Sequence, residues 1–498
     1  MSLKDKIINI IKKYDNIFVF TYFIICLSVY VYALKLSIND ELWNFSFIYK
    51  MANGYEIYKD LNVIITPLFH YIGEIVMQIL GKSFLTFRIY NLLIFSTLYT
   101  IIYIFLKKMK VKKIYSFSMV LGLSMFINDI ISAGANYNIL AVLFVFCGIY
   151  LEIDTKESIK KNIIKGIILF LIFMTKQNIF VLYAVSLIIV YITKILQKKE
   201  TIKNIIKKII IIGTTFMVPL ILFIAYLQIN NILYDFISYC FLGIGEFSKF
   251  NKNISIISIG FLVIGIIGII ISIILIKLKK VDEQICSLNF ILLPFEVFMI
   301  LIAYPIVNIY HIKLGIIISL VVLSYNIYSL IVIEILDENK VEKIVKVCIV
   351  LITIYFIGYN LYYLNKYVKY INSEQTVNIS PYNNIIIEDD MRNKINNICN
   401  YIEENRKKGI DVKIISNEAT LYMNILNENN KNMDLPNMGN FGIKGEDGLI
   451  NEVCELELGT KILISKEEEV QESKKLKDYI MNNYIKIDEI EDFYVYER

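Results

Sequence analysis

The chain has 498 residues, 56% of them hydrophobic, with a mean hydropathy of +0.58 and only six prolines. No ordinary soluble protein of this length has such a composition, so the chain is read as a polytopic membrane protein. Its net charge of +5 comes from 51 Lys and Arg against 46 Asp and Glu. The basic residues form no patch with interleaved aromatics, which argues against a nucleic-acid partner.

Runs of about 17–25 apolar residues, each long enough to cross a hydrocarbon core of about 30 Å as a helix, recur between residues 16 and 364. Taken in chain order, they predict spans near 16–36, 84–106, 114–133, 137–153, 163–177, 178–196, 207–229, 254–276, 287–306, 312–335 and 344–364. The fifth and sixth are separated only by Lys176-Gln177-Asn178. The run 63–81 is nearly a twelfth, but His70, Glu74 and Gln78 fall at i, i+4 and i+8 on one face. That pattern predicts a helix lying at the membrane interface.

Lysines mark alternate loops. Lys4, Lys6, Lys12 and Lys13 precede the first span, and Lys107, Lys108, Lys110, Lys112 and Lys113 follow the second. The same side continues through 156–165, 198–208, 277–280 and 340–346, while the intervening loops are nearly bare of positive charge. The positive-inside rule then predicts a cytoplasmic N-terminus, and eleven spans leave the loop 37–83 and the C-terminal region outside. The first run lacks a small-residue cleavage site and continues into Leu34-Lys35-Leu36, so it reads as a retained anchor. The seven cysteines are scattered without CxxC or Cys/His spacing, which predicts neither a zinc site nor a disulfide framework; a Cys399–Cys454 bridge stays open.

Beyond about residue 365 the character changes. From 371 to 498 there are 25 Asp and Glu against 15 Lys and Arg, a local net of −10. Helical patterns at about 388–407, 418–426, 446–456 and 470–483 alternate with strand patterns at 411–416, 460–465 and 493–496. The expected architecture is a membrane domain over 1–364 and a C-terminal extracytoplasmic α/β domain over 365–498 with a mainly parallel sheet. The Gly-rich stretch 437–448 lacks both GxGxxG spacing and a Walker A pattern, and reads as a loop at the sheet's end.

One stretch stands apart. The loop 37–83 opens with Asp40-Glu41 where a membrane span ends, and continues through Gly54-Tyr55, Tyr58-x-Asp60, Thr66-Pro67 and Gly81 to Arg88 in the next span. A carboxylate there is wet enough to ionise and close enough to reach a lipid headgroup. These residues together resemble the first external loop of the polytopic GT-C glycosyltransferases, in the branch of the protein O-mannosyltransferases and aminoarabinose transferases of family 39. The resemblance implies a GT-C-like α-helical fold and transfer of a sugar from a polyprenyl-phosphate donor to an extracytoplasmic acceptor. It also implies inversion of configuration, with Asp40 as general base and Glu41 as second candidate.

A leaving phosphate in a low-dielectric site needs cations or hydrogen-bond donors. The candidates expected on the external side are Arg88, Lys176, Gln177 and His311, the last within Tyr304-Pro305-x5-His311. Each has a plainer reading, as a snorkelling interface residue, a turn or an ordinary interface histidine. His70, Asp129, Tyr137 and Asn138 are candidate lining residues of the substrate cavity, with helix capping as the plainer reading of Asp129. Asp235 and Glu246, in the loop 230–253, belong to the same external side. No multi-carboxylate metal cluster is legible, so no cofactor is expected, although a divalent ion stays open. Glu296, inside the ninth span beside Pro294, must be paired or face a cavity. It supports the alternative of a lipid-linked sugar flippase or small-molecule transporter.

Overall fold

The structure is a computed structural model that describes residues 14–36, 40–134, 136–154, 158–245, 255–278, 282–304, 307–332, 338–372, 379–387, 389–467, 469 and 472–498. Pro305 and Glu246 of the sequence reading lie outside these residues.

Every one of the eleven apolar runs folds as a helix. They are α1 (Asp15–Tyr32, turned at Ser28), α4 (Phe84–Lys108), α5 (Lys113–Ile127), α6 (Tyr137–Glu152), α7 (Ile159–Thr175), α8 (Gln177–Leu196) and α9 (Ile202–Ile229), then α11 (Ile256–Lys277), α12 (Glu283–Met299), α13 (Ile309–Ile327) and α14 (Glu338–Asn372). Among the described residues eight helices are long and apolar enough to cross a membrane, while α5, α6 and α7 have 15, 16 and 17 residues. α4 and α13 are the most enclosed, whereas α9 and α14 present isoleucines and leucines outward along most of their length. Outward apolar side chains are what a helix facing lipid requires.

Two further helices lie between α1 and α4, namely α2 (Asp40–Ala52) and α3 (Leu68–Leu80), and α10 (Leu233–Leu242) follows α9. The expected polar stripe of α3 runs from a buried His70 through a half-buried Glu74 to an exposed Gln78. His70 is fully buried and Gln78 donates to the Ala52 carbonyl, while Ile75 and Ile79 point outward. The neighbouring α2 supplies partners for His70 and Gln78.

The C-terminal domain begins at segment 379–387, whose Tyr382 ring is fully buried against Phe45 of α2 and Phe84 of α4. It then builds α15 (Asp389–Lys407), β1 (Val412–Ile415), α16 (Ala419–Leu426), α17 (Gly445–Cys454), β2 (Lys461–Ser465), α18 (Lys474–Asn483), β3 (Ile485–Ile490) and β4 (Phe493–Glu497). The sheet order is β1-β2-β4-β3, with β1 and β2 parallel and the other two pairs antiparallel. The expected mainly parallel sheet is therefore mixed. The reason is β3, whose residues are almost all exposed, so its alternation carries no apolar signal and the hairpin to β4 is illegible. Cys399 and Cys454 are free thiols, the latter in contact with the Tyr479 hydroxyl.

Candidate functional site

Asp40 and Glu41 are adjacent in sequence but lie about 100° apart around α2, as 3.6 residues per turn requires. They meet different surroundings. Glu41 points into the core and receives the Arg88 guanidinium as a fork, Nε to Oε1 at 2.9 Å and Nη2 to Oε2 at 3.1 Å. Both side chains are almost wholly enclosed. Arg88 spends its remaining donors on the carbonyls of Val31, Leu34 and Lys35, the open C-terminal end of α1. A guanidinium so committed ties α1, α2 and α4 together and is not presented to a donor phosphate. Glu41, likewise engaged, is not presented as a base.

Asp40, at the start of α2, keeps only part of its surface accessible and lies deep within the protein. Burial pushes its carboxyl up to about 6, partly offset by the nearby charge of Lys176. Lys176 is in the turn between α7 and α8, outside both helices. Burial pushes its ammonium down to about 8, and Asp40 works against that fall. The two groups are thus oppositely charged between about pH 6 and 8, at a depth where water screens them little.

Around this pair the chain brings together residues far apart in sequence. Lys176 Nζ donates to Asn138 Oδ1 and lies 5.0 Å from the centroid of the Tyr137 ring. The charge of Asp40 also reaches Tyr137. His311 is within electrostatic reach of Lys176. Its ring Nδ1 lies 3.0 Å from the Asn308 side-chain oxygen, which also caps α13 by accepting from the His311 backbone N–H. An oxygen in that place assigns the ring proton to Nδ1 and leaves Nε2 as an acceptor. Gln177 is placed beside the pair, but its amide N–H groups go to the carbonyls of Ile64, at 3.1 Å, and Cys240, at 2.8 Å. It therefore ties α8 to the segment between α2 and α3 and to α10.

Gly134 packs on α2. Its φ of +79° suits glycine, and a Cβ there would lie 2.0 Å from the Glu41 backbone nitrogen. The close approach seats Gly134 on the first turn of α2, and Asn44 Nδ2 bonds both the Asp40 carbonyl and, at 3.4 Å, Gly134 O.

Two expected lining residues are engaged by other side chains. His70 is buried between Phe47 and Phe69, with Nε2 at 3.3 Å from Asn44 Oδ1, and burial lowers its pKa to about 3. It supports α2 from behind and stays neutral. Asp129 makes no side-chain cap bond and accepts instead from Lys313 Nζ at 2.7 Å. Lys313 lies beside the Phe126 and Phe261 rings and was missed in the sequence reading. Its signal was available, a lysine two residues after His311 in a loop-to-helix junction otherwise bare of positive charge.

Glu296 is fully buried where α11, α12 and α13 meet. Its Oε1 accepts from Ser272 at 2.9 Å, Ser272 Oγ is 3.3 Å from Asn326, and Asn326 pairs with Asn289. Polar side chains bonded across three helices in this way hold them in register. Among the described residues, no three His, Cys, Asp or Glu side chains converge into a metal cage.

The C-terminal domain covers the outer side of α2. Trp43 Nε1 donates to the Asn417 carbonyl, Ser46 Oγ to Asn424 Oδ1, and Lys50 Nζ pairs with Asp434 at 2.7 Å where both side chains are nearly inaccessible.

No family model matches this chain, and no curated protein does. Among solved structures the chain is similar to an archaeal oligosaccharyltransferase. That structure is AglB from Archaeoglobus fulgidus, in complex with an inhibitory peptide and a dolichol-phosphate. The identity is 10% and the TM-score 0.47, over 92% of this chain and 70% of that one.

Proposed function

We propose that this protein is an integral membrane glycosyltransferase of GT-C type, which moves a sugar from a polyprenyl-phosphate donor to an extracytoplasmic acceptor. The observation that supports this most is Asp40, a deeply placed and still partly accessible carboxylate with its pKa lifted toward neutrality beside Lys176. A general base works best with a pKa near the operating pH.

In the proposed step an acceptor hydroxyl or amine attacks the anomeric carbon while its proton passes to the Asp40 carboxylate. The bond from the anomeric carbon to the phosphate oxygen breaks, and the polyprenyl phosphate leaves with the electron pair. Single displacement inverts the anomeric configuration. Lys176 is the cation placed to meet the developing phosphate charge, and Asn138 and Tyr137 hold its ammonium. His311 offers Nε2 on the same side. Glu41, Arg88 and His70 serve by fixing the position of α2, and Gln177 by fixing α8. The N-terminus is cytoplasmic in this reading, and the C-terminal domain sits outside over α2.

The test is transfer of radiolabelled sugar from a panel of polyprenyl-phosphate sugars by purified protein. Asp40→Asn is expected to lower turnover by about 10²–10⁴-fold, the usual contribution of a positioned base, with folding unchanged. Full turnover in that variant, or none by folded wild type with any donor, would sink the proposal.

A further inference from the structure

Between α10 and the C-terminal domain lies a cleft of about 90 Å³, which the step above does not use. It is lined by Tyr234 and Asp235 of α10 and by Lys431, Lys444, Gly448 and Glu452 of the C-terminal domain. Its walls are fixed. Ser238 Oγ accepts from the Ile443 backbone N–H at 2.9 Å, and the Tyr239 hydroxyl donates to Asn432, which donates in turn to Glu452. Gly442, with φ of +63° and no room for a Cβ against the Ser238 hydroxyl, allows the two backbones to meet. The Gly-rich stretch of the sequence thus shapes this cleft.

The lining selects a chemistry. Two carboxylates and two ammonium groups balance, so a free anion meets Asp235 and Glu452, and a free cation meets Lys431 and Lys444. A neutral ligand bearing many hydroxyls meets no such penalty, because each hydroxyl both donates to carboxylate and accepts from ammonium. Asp235 and Lys444 have no hydrogen-bond or ion-pair partner among the described residues, and the Tyr234 ring is 61% exposed beside them. An aromatic face next to unspent polar groups suits the mixed apolar and hydroxyl faces of a pyranose. At about 15 Å³ for each water held, the space takes roughly six waters, the scale of one monosaccharide unit. α10 is joined to the catalytic turn, since the Cys240 carbonyl accepts from Gln177 beside Lys176.

We propose that this cleft is a carbohydrate-binding subsite, and that it holds a sugar unit of a glycan acceptor; the acceptor role, though not the binding, rests on the transferase reading. The full chain in lipid nanodiscs is examined by saturation-transfer NMR with methyl glycosides of glucose, mannose, galactose and N-acetylglucosamine. At least one is expected to bind, and Asp235→Asn and Tyr234→Ala should each weaken it by tenfold or more. Gly448→Leu should block the space, whereas Asp40→Asn should leave binding unchanged.

Binding to none of the four, equal binding in all variants, or displacement of the glycoside by inorganic phosphate would overturn the subsite. Binding lost in Asp40→Asn but kept in Asp235→Asn would do the same. Sugar binding that behaves as expected in a protein without transfer activity would leave the subsite standing and sink the transferase.

Discussion

A carboxylate that must be ionised and a lysine that must be protonated give a two-sided dependence on pH. Asp40, lifted to about 6 by burial, is inactive as a base below that value and gains activity as pH rises through it. Lys176, lowered to about 8, loses its charge as pH rises through that value. We expect kcat/KM to be bell-shaped with limbs near pH 6 and 8, and the alkaline limb to vanish in Lys176→Gln, whose residual rate is low throughout. A profile flat from pH 5 to 9 would remove Asp40 and Lys176 from these roles. Arg88 acts differently, through a buried fork on Glu41 and three carbonyls. Arg88→Met leaves Glu41 buried without its counter-ion, a loss of about 3–5 kcal/mol, and the thermal unfolding midpoint should fall accordingly. Arg88→Met combined with Glu41→Leu should recover most of it, which a residue binding substrate would not do. The resemblance grouped Asp40, Glu41 and Arg88 and offered all three as candidates for contact with substrate. Which of two neighbouring carboxylates stays partly accessible depends on the rotation of α2, which is set by packing against α1, α4 and Gly134.

α2 is the element on which both halves of the molecule converge. Its inner face holds Asp40 and Glu41, and its outer face carries Trp43, Ser46 and Lys50 to the C-terminal domain. The Lys50–Asp434 pair is nearly inaccessible, so removing one partner leaves a charge without compensation. Lys50→Met should loosen the domain, read as faster release of the C-terminal domain by limited proteolysis while the membrane helices stay intact. Lys50→Met with Asp434→Leu should restore protection. Unchanged cleavage in the single variant would show that this pair does not dock the domain. The apolar periodicity of the sequence marked the helices of both halves well, because a run of isoleucine and leucine needs no partner to announce itself. The burial of His70 in α3 and the exposed β3 escaped the sequence for a common reason. Periodicity locates a face, and only the neighbour decides whether that face meets protein, lipid or water.

For the whole molecule the lysine asymmetry predicts sidedness. With Cys454 kept as the single cysteine, we expect labelling from the outside of sealed cells by a membrane-impermeant maleimide after mild unfolding. A cysteine introduced at Lys4 should react only once the membrane is opened. The reverse pattern would invert the proposed topology. Length, composition and lysine placement by themselves determined a polytopic helical chain, a change of character near residue 365 and a loop rich in candidate chemistry. These are legible because burial in lipid and the cost of moving charge across it act on each segment separately. The tertiary structure alone decided that Lys176, 136 positions from Asp40, is its electrostatic partner and that Arg88 is spent on Glu41. It alone placed Tyr234 and Asp235 opposite Lys431 and Lys444. Such pairings depend on which helices pack side by side, and no local pattern in the chain carries that information.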